Sequence, residues 1–240
     1  DDGTAIEMFA YRKVFDGQAS VTPLAGRYTF VMPSPTNSLS SPAGDAFGEI
    51  IVDGAGRVTF AGELPDGTPV RHEAIMARNG LWPLHVPLAG GRGMLLGWIT
   101  VSKDPSLDAF GEVIWHKPLT PQDRYYPSGF STRRHLFGNL YAPTGQAIGG
   151  GHAIGGMVSG GDMAKVVLGG AGQPFTSAAQ LSRFNWNFRP ETGFVEGSFI
   201  HPATQQETVF RGALLQKRRW TSGYFLGQSH SGVVHLQLPQ

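Results

Sequence analysis

One phrase is written twice in this chain. Gly93-Met94-Leu95-Leu96-Gly97-Trp98 is echoed by Gly223-Tyr224-Phe225-Leu226-Gly227-Gln228, in each case an apolar run between glycines four apart. A second matched pair lies upstream: Val58-Thr59-Phe60-Ala61-Gly62-Glu63-Leu64 and Gly193-Phe194-Val195-Glu196-Gly197-Ser198-Phe199. Side chains within these phrases alternate with the period of two that belongs to strands. The repetition predicts an all-β fold, an antiparallel meander that is internally duplicated. It constrains architecture and says little about chemistry.

The punctuation agrees. Asp53-Gly54-Ala55-Gly56, Pro65-Asp66-Gly67-Thr68, Arg78-Asn79-Gly80 and Ala89-Gly90-Gly91-Arg92-Gly93 are turn signals between short alternating runs. The 34 glycines and 17 prolines are therefore read as strand breakers; 15 phenylalanines and 5 tryptophans demand burial that a disordered chain cannot supply. Strands are expected from Gly26 to Pro33, then at 47–52, 57–64, 69–77, 81–88, 94–101 and 110–116. The second half is expected to open at 136–143 and continue at 181–188, 195–200, 208–216, 223–228 and 233–238, with two more strands near Met157 and at 165–168. This divides the chain into an N-terminal segment (1–24), a first repeat (25–116), a Pro-rich connector (117–134) and a second repeat (135–240).

Gly62, Gly97, Gly197, Gly212 and Gly227 fall inside strands. Mid-strand glycine costs about 0.5–1 kcal/mol relative to alanine. Its recurrence at matched positions implies bends, or aromatic rings (Phe60, Trp98, Phe199, Phe225) lying across the backbone. Strongly coiled or barrel-like halves are expected rather than flat layers.

The net charge is +1 and charged residues make up 15% of the chain, so no strong field draws nucleic acid or anionic lipid. Lys217-Arg218-Arg219, beside Trp220, reads as a solvated hairpin tip rather than a binding patch, and Arg133-Arg134-His135 reads the same way. Without cysteine there is no disulfide, thiolate metal site or thiol nucleophile. No run of about 18 apolar residues spans a membrane as a helix. The start at Asp1-Asp2-Gly3 is read as a mature or excised product whose signal region lies outside this chain.

Asp66-Gly67-Thr68, Leu81-Trp82-Pro83-Leu84, Gly97-Trp98-Ile99-Thr100, Trp115-His116-Lys117-Pro118 and Tyr126-Pro127-Ser128-Gly129-Phe130 carry a family resemblance. With the matched phrases, they make most of residues 25–238 resemble a β-rich module near the C-termini of large exported bacterial proteins of Verrucomicrobia type. Such modules often follow immunoglobulin-like repeats. The resemblance implies export and a place in a secreted or cell-surface assembly, and carries over no catalytic residue.

Chemistry-bearing constellations are sparse. The eight histidines show no metal-ligand spacing. There is no Gly-x-Ser-x-Gly elbow and no phosphate loop; Ser159-Gly160-Gly161-Asp162 and Ser229-His230-Ser231 are fragments. A glycosidase needs two carboxylates across a cleft, and Glu49, Glu63, Glu73, Glu112 and Glu196 lie on expected strands. Asp104, Asp108 and Glu112 offer oxygen ligands for calcium without EF-hand spacing. No catalytic residue, metal or cofactor is assigned. Trp82, Tyr125, Tyr126 and Trp220 sit at strand ends or loops and are the expected exposed rings, able to stack on sugars or anchor a protein partner.

These features give a non-catalytic extracellular structural or interaction module. Its partner is a protein or glycan of the cell envelope, a second copy, or a larger parent polypeptide. A secreted hydrolase acting on polysaccharide or peptide is the alternative.

Overall fold

The structure, a computed structural model, describes residues 12–35, 40–143, 165–170, 173–175, 183–201 and 204–237. The expected strand near Met157 and the Ser159–Asp162 fragment lie outside them. Among the described residues regular structure is β throughout, apart from short 3-10 turns.

The first sheet contains β1 (Gly26–Met32), β2 (Ala46–Val52), β3 (Arg57–Glu63), β4 (Pro69–Ile75), β5 (Leu81–Leu88), β6 (Gly93–Val101), β7 (Ala109–Lys117) and β8 (Phe130–Leu140). All are antiparallel in the order β4-β3-β2-β1-β8-β7-β6-β5. The meander turns back on itself because β8 pairs with both β7 and β1. The strand expected to open the second half thus closes the first sheet. It begins at Phe130, inside the stretch read as connector, and its Leu136, Gly138 and Asn139 are buried there.

This sheet is a nearly closed barrel. Tyr28, Phe30, Ile50, Phe60, Trp82, Leu84, Leu95, Ile99, Val113, Trp115 and Leu136 point inward and form one apolar core. Phe30 stacks on Phe60 with centroids 4.7 Å apart, and Phe60 reaches Trp82 at 6.0 Å across the seam between β4 and β5. The seam itself is not a ladder. Pro83 directs its carbonyl at β4, where His72 Nε2 meets it at 3.2 Å. A strand residue sends its N–H to the same side as its carbonyl. Pro83 and Pro87, which share that side, therefore present no donor to β4. Burial holds His72 below the usual imidazole range, against the opposing pull of the Pro83 carbonyl.

The second sheet contains β9 (Lys165–Gly170), β10 (Gln173–Phe175), β11 (Asn185–Arg189), β12 (Phe194–Ile200), β13 (Glu207–Leu215), β14 (Trp220–Leu226) and β15 (Ser231–Gln237) in the order β10-β9-β15-β14-β13-β12-β11. One face holds its own core of Trp186, Phe188, Phe199, Phe210, Leu214 and Phe225. The other packs on the barrel exterior, where Val31 and Phe47 meet Ala213, Leu215 and Tyr224. This two-sided cover explains β13. Its burial alternates from Glu207 to Arg211 and then becomes continuous through Leu215, where the strand runs beneath the barrel.

The first copy of the glycine-flanked phrase lies wholly in β6, whereas the second lies in β14 only from Gly223 to Leu226, so Gly227 falls past the strand end and not inside it. Each strand follows a 3-10 turn, Ala89–Gly91 before β6 and Gln216–Arg218 before β14. Two strands separate the first copy from its matched upstream phrase in β3, and one separates the second from β12.

Two matched glycines show why no side chain fits. A Cβ on Gly62 would lie 2.4 Å from the Phe47 carbonyl and 3.0 Å from the Phe30 ring; one on Gly197 would lie 2.2 Å from the Asn185 carbonyl and 2.5 Å from the Phe210 ring. The covering rings are therefore Phe30 and Phe210, each across from a glycine on a neighbouring strand, rather than Phe60, Trp98, Phe199 or Phe225. Gly62→Ala is expected to lower stability by about 2 kcal/mol through overpacking, read as a lower urea midpoint at unchanged slope.

Candidate functional site

Strand parity decides which aromatic rings reach the surface. In β5, Trp82, Leu84 and Val86 are buried while Pro83, His85 and Pro87 are exposed. Register pairs Trp82 with Ile99 and Pro83 with Trp98. Once Trp82 fills the barrel, Ile99 must join it and Trp98 must face out. Trp82 is accordingly fully buried and Trp98 is 42% exposed, the reverse of the expectation that Trp82 is the surface ring.

The two connector tyrosines are clamps. Tyr126 is buried, and its hydroxyl accepts from the Ser231 backbone N–H at 2.9 Å and shares a 3.0 Å hydrogen bond with the Ser231 hydroxyl. The Tyr125 hydroxyl donates to the Gly227 carbonyl at 3.0 Å, and Arg124 lies over its ring. Trp220 is half-buried at the sheet junction and meets His235 edge-on at 5.2 Å. The sequence signal that they lie outside strand cores held for the tyrosines, but their rings are used to tie the connector to the second sheet.

Among the described residues, one exposed apolar face is the outside of β6 and β7. Leu96, Trp98 and Phe110 are 41%, 42% and 41% exposed. Pro83 lies across from Trp98 on one side and Glu112 on the other, and His135 lies across from Glu112. Glu112 Oε1 accepts from Arg133 Nη1 at 2.8 Å beside Trp98. Phe110 pairs with Phe137, which packs into the junction between the sheets. The face runs on from an established interface around the barrel to β5, four strands from β1.

Basic residues divide by the same parity. Arg133 and His135 are exposed, but Arg134 between them is 2% exposed and enters the barrel end. Lys217 is not a solvated tip: its Nζ lies 2.6 Å from Asp108 Oδ1. Arg218 covers the Phe137 ring. The proposed calcium ligands are committed separately. Asp104 caps its own turn through Ser106 and Leu107, Asp108 holds Lys217 and the Leu140 N–H, and Glu112 holds Arg133. Among the described residues no three His, Cys, Asp or Glu side chains converge on a metal geometry. Ser229 Oγ and His230 Nδ1 are 2.8 Å apart on an exposed turn, as adjacent residues, and among the described residues no carboxylate is bonded to the imidazole.

Three of the expected carboxylates do come together. A cleft of about 470 Å³ separates β2–β4 of the barrel from β11–β13, and Glu49, Glu63 and Glu196 line it with Arg71, Arg189 and Arg211. Phe47 from the barrel and Phe194 from the second sheet also line it. Each carboxylate is engaged. Glu49 Oε2 lies 2.5 Å from Arg27 Nη1, Glu63 Oε2 lies 3.2 Å from Arg211 Nη1, and Glu196 Oε1 lies 2.6 Å from Arg189 Nη2. The Tyr224 hydroxyl also donates to Glu63 at 2.8 Å, and burial pushes that phenol far above its ordinary range. Acid–base hydrolysis needs one carboxyl kept as a proton donor in apolar surroundings. Here each lining carboxylate faces a guanidinium.

No family model matches the chain, and no curated protein matches it. Among solved structures, the endo-1,5-alpha-L-arabinanase from Thermotoga petrophila RKU-1 is similar at 9% identity with a TM-score of 0.23. The alignment covers 87% of this chain and 53% of that one, so the chain spans about half the length of that structure.

Proposed function

We propose that this protein is a non-catalytic structural module of an exported bacterial assembly, and that it docks to a second copy of itself through the outer face of β5–β7. The observation that carries the reading is the exposure of Leu96, Trp98 and Phe110 on the outside of β6 and β7. Exposed aromatic groups beside a charged pair are groups that protein interfaces use.

A second copy is the favoured occupant on charge. The face carries Glu112 and Arg133 together. A two-fold pairing that set Glu112 of one copy against Arg133 of the other would make the face complementary to itself. The low net charge of +1 leaves little general repulsion to oppose association. Export, bacterial origin and the internal duplication rest on the sequence resemblance and the matched phrases. The paired state of the cleft carboxylates supports a structural rather than hydrolytic role.

Multi-angle light scattering across a concentration series tests the reading. Wild type is expected to form dimers or larger species, and Trp98→Glu to weaken association at least about 30-fold, the loss of one hot spot. Circular dichroism confirms that the variant folds. A wild type that stays monomeric at high concentration contradicts the proposal.

A further inference from the structure

We propose that the cleft between the barrel and the second sheet binds acidic saccharides, seating a uronic-acid unit with its carboxylate on Arg71. The cleft differs from the Trp98 face in place and in chemistry. Its volume, about 470 Å³, falls in the range of small-ligand sites. Two packed sheets form its walls, and the Arg211–Glu63 pair bridges them at 3.2 Å. Being built on strands, the walls are fixed in advance of binding.

Arg71 is the lining cation with capacity to spare. Arg189 and Arg211 are hydrogen-bonded to Glu196 and Glu63. Arg71 meets Glu73 at 3.9 Å, beyond hydrogen-bond reach, and its side chain is 73% exposed. Its planar fork matches a carboxylate bidentately. The remaining groups suit a pyranose ring. Glu49, Glu63 and Glu196 carry acceptor oxygens with lone pairs beyond those used by their arginines, and hydroxyls are the donors a sugar offers. Pro69 and Phe194 give an apolar surface for the C–H face of the ring. An inorganic anion would leave that surface and those acceptors unused. An acidic peptide presents fewer hydroxyls to the carboxylates.

Isothermal titration with trigalacturonic acid, with a neutral galactose trimer, sulfate and a short polyglutamate as comparison probes, decides the matter. The acidic trimer is expected to bind and the neutral trimer, sulfate and polyglutamate to bind far more weakly. Arg71→Ala is expected to weaken trigalacturonate about tenfold, one charge-assisted fork. The exposure of Arg71 keeps the fold out of question, and light scattering of the variant is expected to match wild type. The proposal is overturned by absence of trigalacturonate binding, by equal binding of sulfate or polyglutamate, or by affinity that Arg71→Ala leaves unchanged.

Discussion

Arg134→Met is expected to be the most destabilising single substitution considered, costing about 3 kcal/mol or more. Arg134 is 2% exposed. Its Nη1 donates to the Met32 and Gly44 carbonyls at 3.3 and 2.9 Å, and its Nη2 donates to the Pro42 carbonyl at 2.6 Å. The guanidinium also sits 5.2 Å from the Trp115 ring centroid. One side chain therefore ties the loop after β1 to the end of the barrel. Methionine fills most of the volume but strands three buried acceptors. Lysine does not restore them, because a single ammonium cannot replace the diverging donors of the fork. Burial pushes the Arg134 pKa down to about 10, with the Asp45 charge opposing the shift. The group stays charged below about pH 10, so the destabilisation is expected to be constant from pH 6 to 8, roughly the neutral range. For a chain of 240 residues the melting temperature should fall by on the order of 10 °C. A change within about 1 kcal/mol of wild type would show that the loop is held by other contacts.

Asp45→Ala is expected to follow closely, at about 3 kcal/mol, and to act on the junction between the sheets. Asp45 is 2% exposed. Its Oδ1 accepts from the Ser34 N–H at 2.8 Å; its Oδ2 accepts from the Ser222 hydroxyl and lies 3.0 Å from His235 Nε2. Its own N–H donates to the Gly223 carbonyl at 3.2 Å. One carboxylate thus joins a barrel loop to β14 and β15. Its removal leaves the buried Ser222 hydroxyl only the long contact to the Val234 carbonyl and takes away a charge that favours ionised Arg134. Hydrogen exchange is expected to show β13–β15 losing protection before the barrel does. Cooperative exchange of both sheets in the variant, as in wild type, would contradict this account of the junction. Asp45 and Arg134 sit in one network, so the double variant should fall short of the summed single effects.

The strand content was legible because turn chemistry is local. Pro65-Asp66-Gly67-Thr68 and Arg78-Asn79-Gly80 marked their turns, and β5 was written face by face as Trp82-Leu84-Val86 against Pro83-His85-Pro87. Placing β8 was not legible. Leu136–Leu140 resemble any half-buried strand, and pairing with β1 across more than a hundred residues leaves no local mark. The exposed tryptophan was misjudged for the same reason. Both alternating sets of β6, Met94-Leu96-Trp98 and Leu95-Ile99-Val101, are apolar, and only the register with β5 shows that Trp98 faces outward. The cleft carboxylates could be named singly, since Glu49, Glu63 and Glu196 lie on strands. Their convergence depends on the docking of β11–β13 against β2–β4, and their arginine partners come from both sheets. Arg134 hid within Arg133-Arg134-His135, where parity separates one buried residue from two solvated neighbours.

The central claim is that the face around Trp98 is where this protein meets its own kind. Hydrogen exchange read by mass spectrometry at low and high protein concentration tests it most directly. Added protection on raising the concentration is expected in peptides from β5, β6 and β7, with none gained along the outer edge of β11. Protection confined to β11, or a concentration series that leaves β5–β7 unchanged, would contradict it.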